Sequence, residues 1–114
     1  MAKPEHEFFP VTEIAFTTCA GDVPSLSERQ LAVDGTAAVA TRVLHFAPGT
    51  DTSPNGVQCH DFWEEVYILE GSITDLRLGE TFTSGMYACR PPGMEHGPWV
   101  SAEGCVTFEV RYRT

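Results

Sequence analysis

Short runs in which apolar and polar residues alternate, separated by turn signals, make up most of the chain. The last run, CVTFEVRYR, begins at Cys105 and shows this pattern most clearly. Its apolar residues would lie on one face of an extended chain and its polar residues on the other: Val106, Phe108, Val110 and Tyr112 against Thr107, Glu109 and Arg111. Many short antiparallel strands in one small domain predict an all-β fold, either a sandwich or a barrel.

Six short segments that contain glycine supply the turn signals: Asp34-Gly35, 48–56, Gly71-Ser72, Gly79-Glu80, 90–93 and 101–104. The first is the strongest, because Asp-Gly between two apolar runs favours a β-hairpin. Segment 48–56 predicts a loop, and segment 90–93, RPPG, predicts a turn with a rigid backbone. The remaining pairs are interpreted as breaks between separate short strands.

The N-terminal part of the chain is mixed in character and differs from the rest. Its apolar anchors are Phe8, Phe9, Ile14 and Phe16. We expect residues 1–24 to form an arm or edge strands that pack on the barrel or on a dimer partner. Residues 25–114 are expected to form the barrel itself, since a chain of 114 residues is by default one domain.

The charge of the chain argues against two classes of partner. It carries 7 basic and 16 acidic residues, a net charge of −9. A nucleic-acid backbone or an anionic membrane surface is bound by clustered Lys and Arg, so neither is expected as a partner. The chain opens without a basic segment followed by an apolar one, and no apolar run approaches the roughly 18 residues of a membrane span. We therefore expect a cytoplasmic protein.

Four cysteines are scattered through the chain without a C-x-x-C pair: Cys19, Cys59, Cys89 and Cys105. This spacing does not fit a zinc ribbon. We expect free thiols that mostly serve as small core residues.

Gln58, His60 and Glu64 form the first group of candidate metal ligands. Residues two apart on a strand share a face, so Gln58 and His60 would project the same way. A tight connection from Asp61 to Trp63 would let Glu64 open the next strand beside them. His96 is a second candidate, because the rigid RPPG turn before it fixes the backbone that aims its ring.

Two histidines and one carboxylate on one face can hold Fe(II) and leave positions open for dioxygen and substrate. Gln58 would add a weak neutral oxygen ligand or a hydrogen-bond donor. However, a lone histidine in a strand is more often a structural residue, and spacing by itself does not bring His60 and His96 together. From the residues alone, a metal site and a structural role both remain open.

In two motifs the sequence resembles the cupin superfamily. The second cupin motif is a glycine, five residues, Pro-x-Gly, two residues, a histidine, three residues and an asparagine. Gly85, Pro91, Gly93 and His96 match it, and Val100 replaces the asparagine. The segment RPPGMEHGPWVSAEGC is also similar to the cupin portion of the anti-sigma factor ChrR and its relatives.

The first cupin motif runs from a glycine through His-x-His, then a glutamate, then six residues to a second glycine. His60, Glu64 and Gly71 match it, whereas the opening glycine is absent and Gln58 stands at the first histidine. The six-residue spacing to Gly71 selects Glu64 over Glu65, which would face away. The resemblance therefore implies a metal set of His60, Glu64 and His96, with Gln58 as a fourth member.

The resemblance further implies an antiparallel β-barrel, the double-stranded β-helix of the RmlC-like jelly roll. It implies one divalent metal per chain, with Fe(II) favoured over Mn(II), Ni(II) or Zn(II), and a homodimer. The expected function is a non-haem dioxygenase acting on a small anionic or chelating organic molecule. The alternatives are a metal-dependent isomerase, cyclase or lyase, and a non-catalytic binding or sensing module. Three side chains could reach such a substrate: Arg42, Tyr87 and Arg111.

Overall fold

The computed structural model describes residues 2–114 and contains nine strands. They are β1 (Thr17–Thr18), β2 (Leu26–Val33), β3 (Ala40–Phe46), β4 (Thr50–Asp51), β5 (Trp63–Asp75), β6 (Glu80–Thr83), β7 (Tyr87–Arg90), β8 (Trp99–Ser101) and β9 (Cys105–Tyr112). Two short 3-10 turns, Val11–Glu13 and Ser53–Asn55, complete the regular structure. The described part of the chain includes no helix that could cross a membrane.

All the strand pairings are antiparallel, and the strands follow the order β1-β2-β3-β9-β5-β8-β4. Strands β6 and β7 also pair with β5. The network curls on itself as twisted antiparallel strands do. The predicted all-β class and the RmlC-like jelly-roll barrel are therefore confirmed.

Strand β5 joins the two halves of the barrel. Its first half pairs with β7 and β9, and its second half pairs with β6 and β8. Gly71 lies at the bend between the halves with φ 80°, and a Cβ there would overlap the carbonyl oxygen of Gly104. The predicted break at Gly71-Ser72 is wrong, because glycine lets the strand bend while Gly71 stays paired with Cys105.

Of two other turn predictions, the Asp34-Gly35 hairpin is fully confirmed and the loop at 48–56 only in part. The Asp34-Gly35 hairpin is confirmed: β2 and β3 pair across residues 34–39, and both the N–H and the hydroxyl of Thr36 donate to Asp34 Oδ1. Segment 48–56 is only partly a loop, because Thr50–Asp51 pair with β8. The amino-acid composition of segment 48–56 does not reveal this strand, because the strand is only two residues long. One of the two residues, Thr50, is fully buried.

The N-terminal arm lies along the outer side of β2 and β3. Arg29 Nη1 donates to the carbonyls of Val11 and Ile14, and its guanidinium stacks 4.1 Å from the ring centroid of Phe16. Strand β1 adds an edge to β2. These contacts lie within one chain. The division at residue 24 stays a prediction, and Met1 lies outside the described residues.

The alternation in the last run is confirmed, and the polar face is the buried one. Thr107 and Glu109 point inward and are 3% and 4% exposed, whereas Phe108 points outward and is 36% exposed. An ordinary half-buried strand turns its apolar face inward. The reversal indicates that the barrel encloses polar and charged side chains at the level of Thr107 and Glu109.

The inside of the barrel changes from apolar to charged along its strands. Seven buried residues form the apolar end: Val23, Leu26, Leu44, Phe46, Ile68, Ile73 and Cys105. The next inward pair after Leu44 and Thr107 is Arg42 with Glu109, and Arg111 follows on β9. The charged end is thus reached within two residues of the core.

The cysteines only partly follow the expectation of core residues. All four are free thiols. Cys105 is buried and Cys19 half-buried, so the core prediction holds there. It is wrong for Cys59 and Cys89, which are exposed. Cys89 pairs with Glu65 across the sheet, and alternation turns both side chains outward.

Candidate metal centre

Backbone hydrogen bonds bring the two histidine-bearing segments together. Gln58 and His96 form an antiparallel bridge, with Gln58 N–H donating to His96 O over 2.7 Å and His96 N–H to Gln58 O over 3.0 Å. The N–H of Gly93, in the RPPG turn, donates to His60 O over 2.9 Å. The rigid turn therefore sets the position of both histidines.

The side chains of His60, Glu64 and His96 converge on one point. The Nε2 atoms of His60 and His96 lie 3.7 Å and 3.8 Å from Glu64 Oε1. All three candidate ligand atoms lie within 4.8 Å of one another. Since such donors bind a divalent metal at about 2 Å, small side-chain rotations would let all three reach one ion.

The hydrogen bonds of the two rings determine which nitrogen can bind a metal. His60 Nδ1 faces the carbonyl of Phe62 at 3.2 Å, and His96 Nδ1 faces the carbonyl of Met94 at 3.4 Å. A carbonyl only accepts, so we place the ring proton on each Nδ1 and a lone pair on each Nε2. This is the arrangement of metal-binding histidines, whose other ring nitrogen donates to a carbonyl or carboxylate.

One buried atom gives the strongest sign of a ligand. The Nε2 atom of His60 is buried and has no hydrogen-bond partner within residues 2–114. Nearly all buried polar atoms in proteins are hydrogen-bonded, because an unpaired one costs free energy. A metal bound to this lone pair would satisfy it, so the residues present fit a metal ion.

Two arginines hold the carboxylate of Glu64. Arg90 on β7 and Arg111 on β9 are its direct neighbours across the sheet. Arg90 Nη1 donates to Oε1 over 2.8 Å, and Arg111 Nε donates to Oε2 over 2.7 Å. Burial alone would raise the pKa of Glu64, but the two guanidiniums outweigh it and lower the pKa to about 2.

His96 is neutral at physiological pH. Burial disfavours its charged form, and the positive charge of Arg90 adds to this, so the pKa falls to about 4. A neutral imidazole is the form that binds metals. His96 and the ionised Glu64 beside it therefore both have the protonation state that binding to a divalent metal requires.

Residues 6–113 match the family of ChrR cupin-like domains. The chain belongs to this cupin family. A search of the curated proteins finds no match. The predicted membership of the cupin superfamily is confirmed.

Solved cupin structures show the same fold. An RmlC-like cupin from Shewanella frigidimarina is 21% identical with a TM-score of 0.72, covering 97% of this chain and 93% of that one. The polyketide cyclase RemF from Streptomyces resistomycificus is 21% identical at 0.75, covering 94% and 79%. An acetylacetone dioxygenase from Acinetobacter johnsonii is 13% identical at 0.70, covering 95% and 73%. At such identities the likeness shows the fold alone.

Gln58 occupies the position where the first cupin motif has a histidine. Its side-chain amide donates to the carbonyl of Asn55 over 2.8 Å, and the residue is exposed. Among residues 2–114, no hydrogen bond links this side chain to His60, Glu64 or His96. Coordination by Gln58 therefore stays a prediction.

Glu65 faces away from the cupin site, in agreement with the motif spacing. Its carboxylate accepts hydrogen bonds from the hydroxyls of Tyr87 and Tyr112 on the outer face. The Tyr87 hydroxyl is therefore engaged outside the barrel. Arg111 holds Glu64 through its Nε, and its contact with a substrate stays a prediction.

Arg90 is the functional residue that sequence reasoning missed. The sequence signal that could have identified Arg90 is its position immediately before the motif prolines, at the end of a short strand. Its guanidinium lies 5.3 Å from the Trp99 ring centroid, and that of Arg111 lies 5.2 Å from the Phe62 centroid. Phe62 also stacks on His60, with centroids 4.0 Å apart. Two aromatic rings thus hold the arginines and histidines in place.

A second ionic cluster lies deeper in the cupin barrel. Arg42 Nη2 is 2.8 Å from Glu109 Oε1, and its Nη1 is 3.4 Å from Glu28 Oε2. Thr107 donates to the other oxygen of Glu109. Both clusters line one cavity of about 980 Å³ that extends to the apolar core at Leu44. A small molecule that enters it meets charged groups on one side and apolar ones on the other.

Proposed function

We propose that this cupin is a metal-dependent enzyme, a non-haem dioxygenase acting on a small anionic or chelating organic molecule. The observation that carries the proposal is the unpaired, buried Nε2 of His60, which faces Glu64 beside the lone pair of His96. His60, Glu64 and His96 would hold one divalent metal per chain, with Fe(II) favoured over Mn(II), Ni(II) or Zn(II). Two imidazoles and one carboxylate suit Fe(II) with open positions.

The metal would supply Lewis acidity and, as Fe(II), the electrons for oxygen chemistry. The protein's own side chains and carbonyls would hold and orient the metal ligands. Arg90 and Arg111 hold Glu64 ionised and fixed, and the carbonyls of Phe62 and Met94 orient the two rings. Gln58, at the edge of the site, would act as a weak neutral ligand or orient a water molecule.

Burial of the site supports chemistry in a water-poor environment. The side chains of Glu64 and His96 are 3% and 9% exposed, and Phe62 and Trp99 flank the two histidines. Exclusion of water strengthens the electrostatic interactions of the site and protects reactive species.

Oxygen consumption tests the proposed reaction. The protein is loaded with Fe(II) under anaerobic conditions and offered small carboxylic acids and β-diketones in an oxygen electrode. Dioxygen uptake in step with loss of a substrate is expected. Turnover of a substrate under strict anaerobiosis would contradict the dioxygenase and favour an isomerase, cyclase or lyase.

A sensing module is the second candidate, because the chain matches the family of ChrR cupin-like domains over almost its whole length. In that role the site would bind a metal or a small molecule without turnover. The change on binding would be transmitted to a partner protein. Purification that recovers a transcription factor at a one-to-one ratio, together with no turnover by the Fe(II)-loaded protein, would favour this candidate over the enzyme.

We also propose that the protein pairs with a second copy of itself. Four large exposed side chains lie on the outer face of β5, β7 and β9: Tyr67, Leu69, Tyr87 and Phe108. Tyr67 is the direct cross-strand neighbour of both Tyr87 and Phe108, so three of the four are contiguous. The N-terminal arm covers the adjacent outer side of β2 and β3, which leaves this patch for a partner.

A further inference from the structure

The peptide unit that follows His96 is held at both of its ends. Its carbonyl, His96 O, accepts a hydrogen bond from the N–H of Gln58 over 2.7 Å. Its N–H, which belongs to Gly97, donates to Asp75 Oδ2 over 3.2 Å. Because a peptide unit is planar, hydrogen bonds at its opposite ends fix its orientation.

The peptide unit that precedes His96 is held in the same way. Its N–H, that of His96, donates to Gln58 O over 3.0 Å. Its carbonyl, Glu95 O, accepts from Arg77 Nη2 over 3.0 Å. Gln58 thus holds the histidine segment from one side, and the turn after β5 holds it from the other. With both flanking peptide planes fixed, the direction in which the imidazole leaves the backbone is fixed too.

Gly97 makes the contact with Asp75 important. Its φ is 73°, which glycine adopts readily and other residues rarely do, and a Cβ there would lie 2.9 Å from Trp99 Nε1. Glycine has no side chain that restricts its backbone, so a hydrogen bond from outside must hold the chain at this point. The carboxylate of Asp75 provides the acceptor for that bond.

Asp75 is buried more completely than a carboxylate ordinarily is. It is 1% exposed and lines the cavity. Its Oδ1 accepts the N–H groups of Arg77 and Leu78 over 2.8 Å and 3.0 Å, and no cationic side chain of residues 2–114 forms an ion pair with it. Backbone N–H groups therefore offset the cost of its burial. An apolar side chain could fill the same space but would leave the buried N–H of Gly97 unpaired.

We infer that Asp75 is a positioning residue of the metal centre. Through Gly97 it fixes the backbone of His96 and so keeps the Nε2 of His96 beside Glu64 Oε1. It is not one of the three residues whose ligand atoms converge, so it acts through His96 and not as a ligand. This inference rests on the proposed metal site and adds to it the residue that aims one of its ligands.

Asp75→Asn tests the inference, because asparagine has the same shape. Its amide oxygen can still accept the N–H groups of Arg77 and Leu78, but its amide N–H would then face the N–H of Gly97, and two donors do not bond. Zinc affinity, measured by competition with a chromophoric chelator, should fall about tenfold, as when a hydrogen bond that orients a metal ligand is lost. The visible absorption of the Co(II)-loaded variant should also change, since it depends on the geometry of the ligands.

Asp75→Ser serves if the asparagine variant does not fold. A serine hydroxyl can cap the same turn but is too short to reach Gly97, so the same loss of zinc affinity is expected. Ser101→Ala is the control. Ser101 is fully buried on β8 and its hydroxyl donates to Ser72 O over 2.7 Å, so this variant loses a buried hydrogen bond away from the histidine segment. Its zinc affinity should stay unchanged, and urea unfolding compares the stability of all three variants.

Two results would overturn the role of Asp75 and leave the metal centre intact. One is a folded Asp75→Asn or Asp75→Ser variant with the zinc affinity and the Co(II) spectrum of the unmodified protein. The other is an equal loss of zinc affinity in Ser101→Ala, which would show that reduced stability alone weakens metal binding. Failure of the unmodified protein to take up zinc would overturn the metal centre itself, and the inference with it.

Discussion

Arg111 lies directly opposite Glu64 on the neighbouring strand, and its Nε donates to Glu64 Oε2 over 2.7 Å. Arg90 occupies the equivalent position on the other side of Glu64. A carboxylate fixed between two guanidiniums is already oriented before any metal arrives. The same contacts make Glu64 important for the stability of the metal-free barrel.

Replacement of Glu64 by glutamine should destabilise the metal-free protein by about 3 kcal/mol, because two largely buried arginines lose their counter-charge. Urea unfolding measures this loss. The matched control is Glu65→Gln, one residue away on the outer face, which should cost much less because Glu65 contacts only two tyrosine hydroxyls. Equal losses in the two variants would contradict the role of Glu64 as the centre of the ion pairs.

His96→Ala should abolish metal retention and leave the fold intact, because the apolar core does not include this residue. Metal content by elemental analysis and far-UV circular dichroism on the same sample measure the two effects. His45→Ala is the control, since His45 lies near Phe16 of the arm, outside the site, and should keep the metal. Full metal occupancy in the His96 variant would show that the site is misplaced.

The stability of the metal-free protein should fall as the pH is lowered from about 6.5 to about 4. In this window the unfolded chain protonates His96, whereas burial keeps the folded pKa of His96 at about 4. The unfolded state therefore binds about one more proton than the folded state, and acid favours unfolding. Urea unfolding at several pH values measures the slope.

His96→Asn should flatten that slope, since asparagine does not titrate. Loss of stability below about pH 4.5 should persist in this variant, because Glu64, with a folded pKa of about 2, remains. An unchanged slope between pH 6.5 and pH 4 would mean that another group takes up the proton.

Light scattering should give the mass of two chains for the unmodified protein. Phe108→Ser should shift the mass toward one chain, because it removes an apolar side chain that lies beside Tyr67 in the exposed patch. Val57→Ser is the control, because Val57 is an apolar residue at least as exposed as Phe108 and lies away from these strands. A single-chain mass for the unmodified protein at high concentration would contradict the dimer.

Local patterns predicted much of the fold. Alternation identified β9, and the Asp-Gly pair identified the β2–β3 hairpin. The break at Gly71 failed, because a glycine with positive φ bends a paired strand as readily as it ends one. Strand β4 was missed because pairing with β8, and not its own two residues, makes it a strand.

The candidate site was predictable in its ligands and not in their surroundings. Motif spacing identified His60, Glu64 and His96, and it separated Glu64 from Glu65. The two arginines on Glu64 depend on which residues of β7 and β9 lie opposite it across the sheet. That register depends on the whole barrel and cannot be read from the sequence of a single strand. The inward turn of the polar face of β9 has the same origin.

The most direct test of the metal centre is elemental analysis of the protein purified without an affinity tag or chelator. About one atom of iron, manganese, nickel or zinc per chain is expected, since one set of three ligands can hold one ion. Absence of metal, even after reconstitution under reducing conditions, would contradict a metal centre at His60, Glu64 and His96. Gln58 would then mark a cupin that has lost its metal.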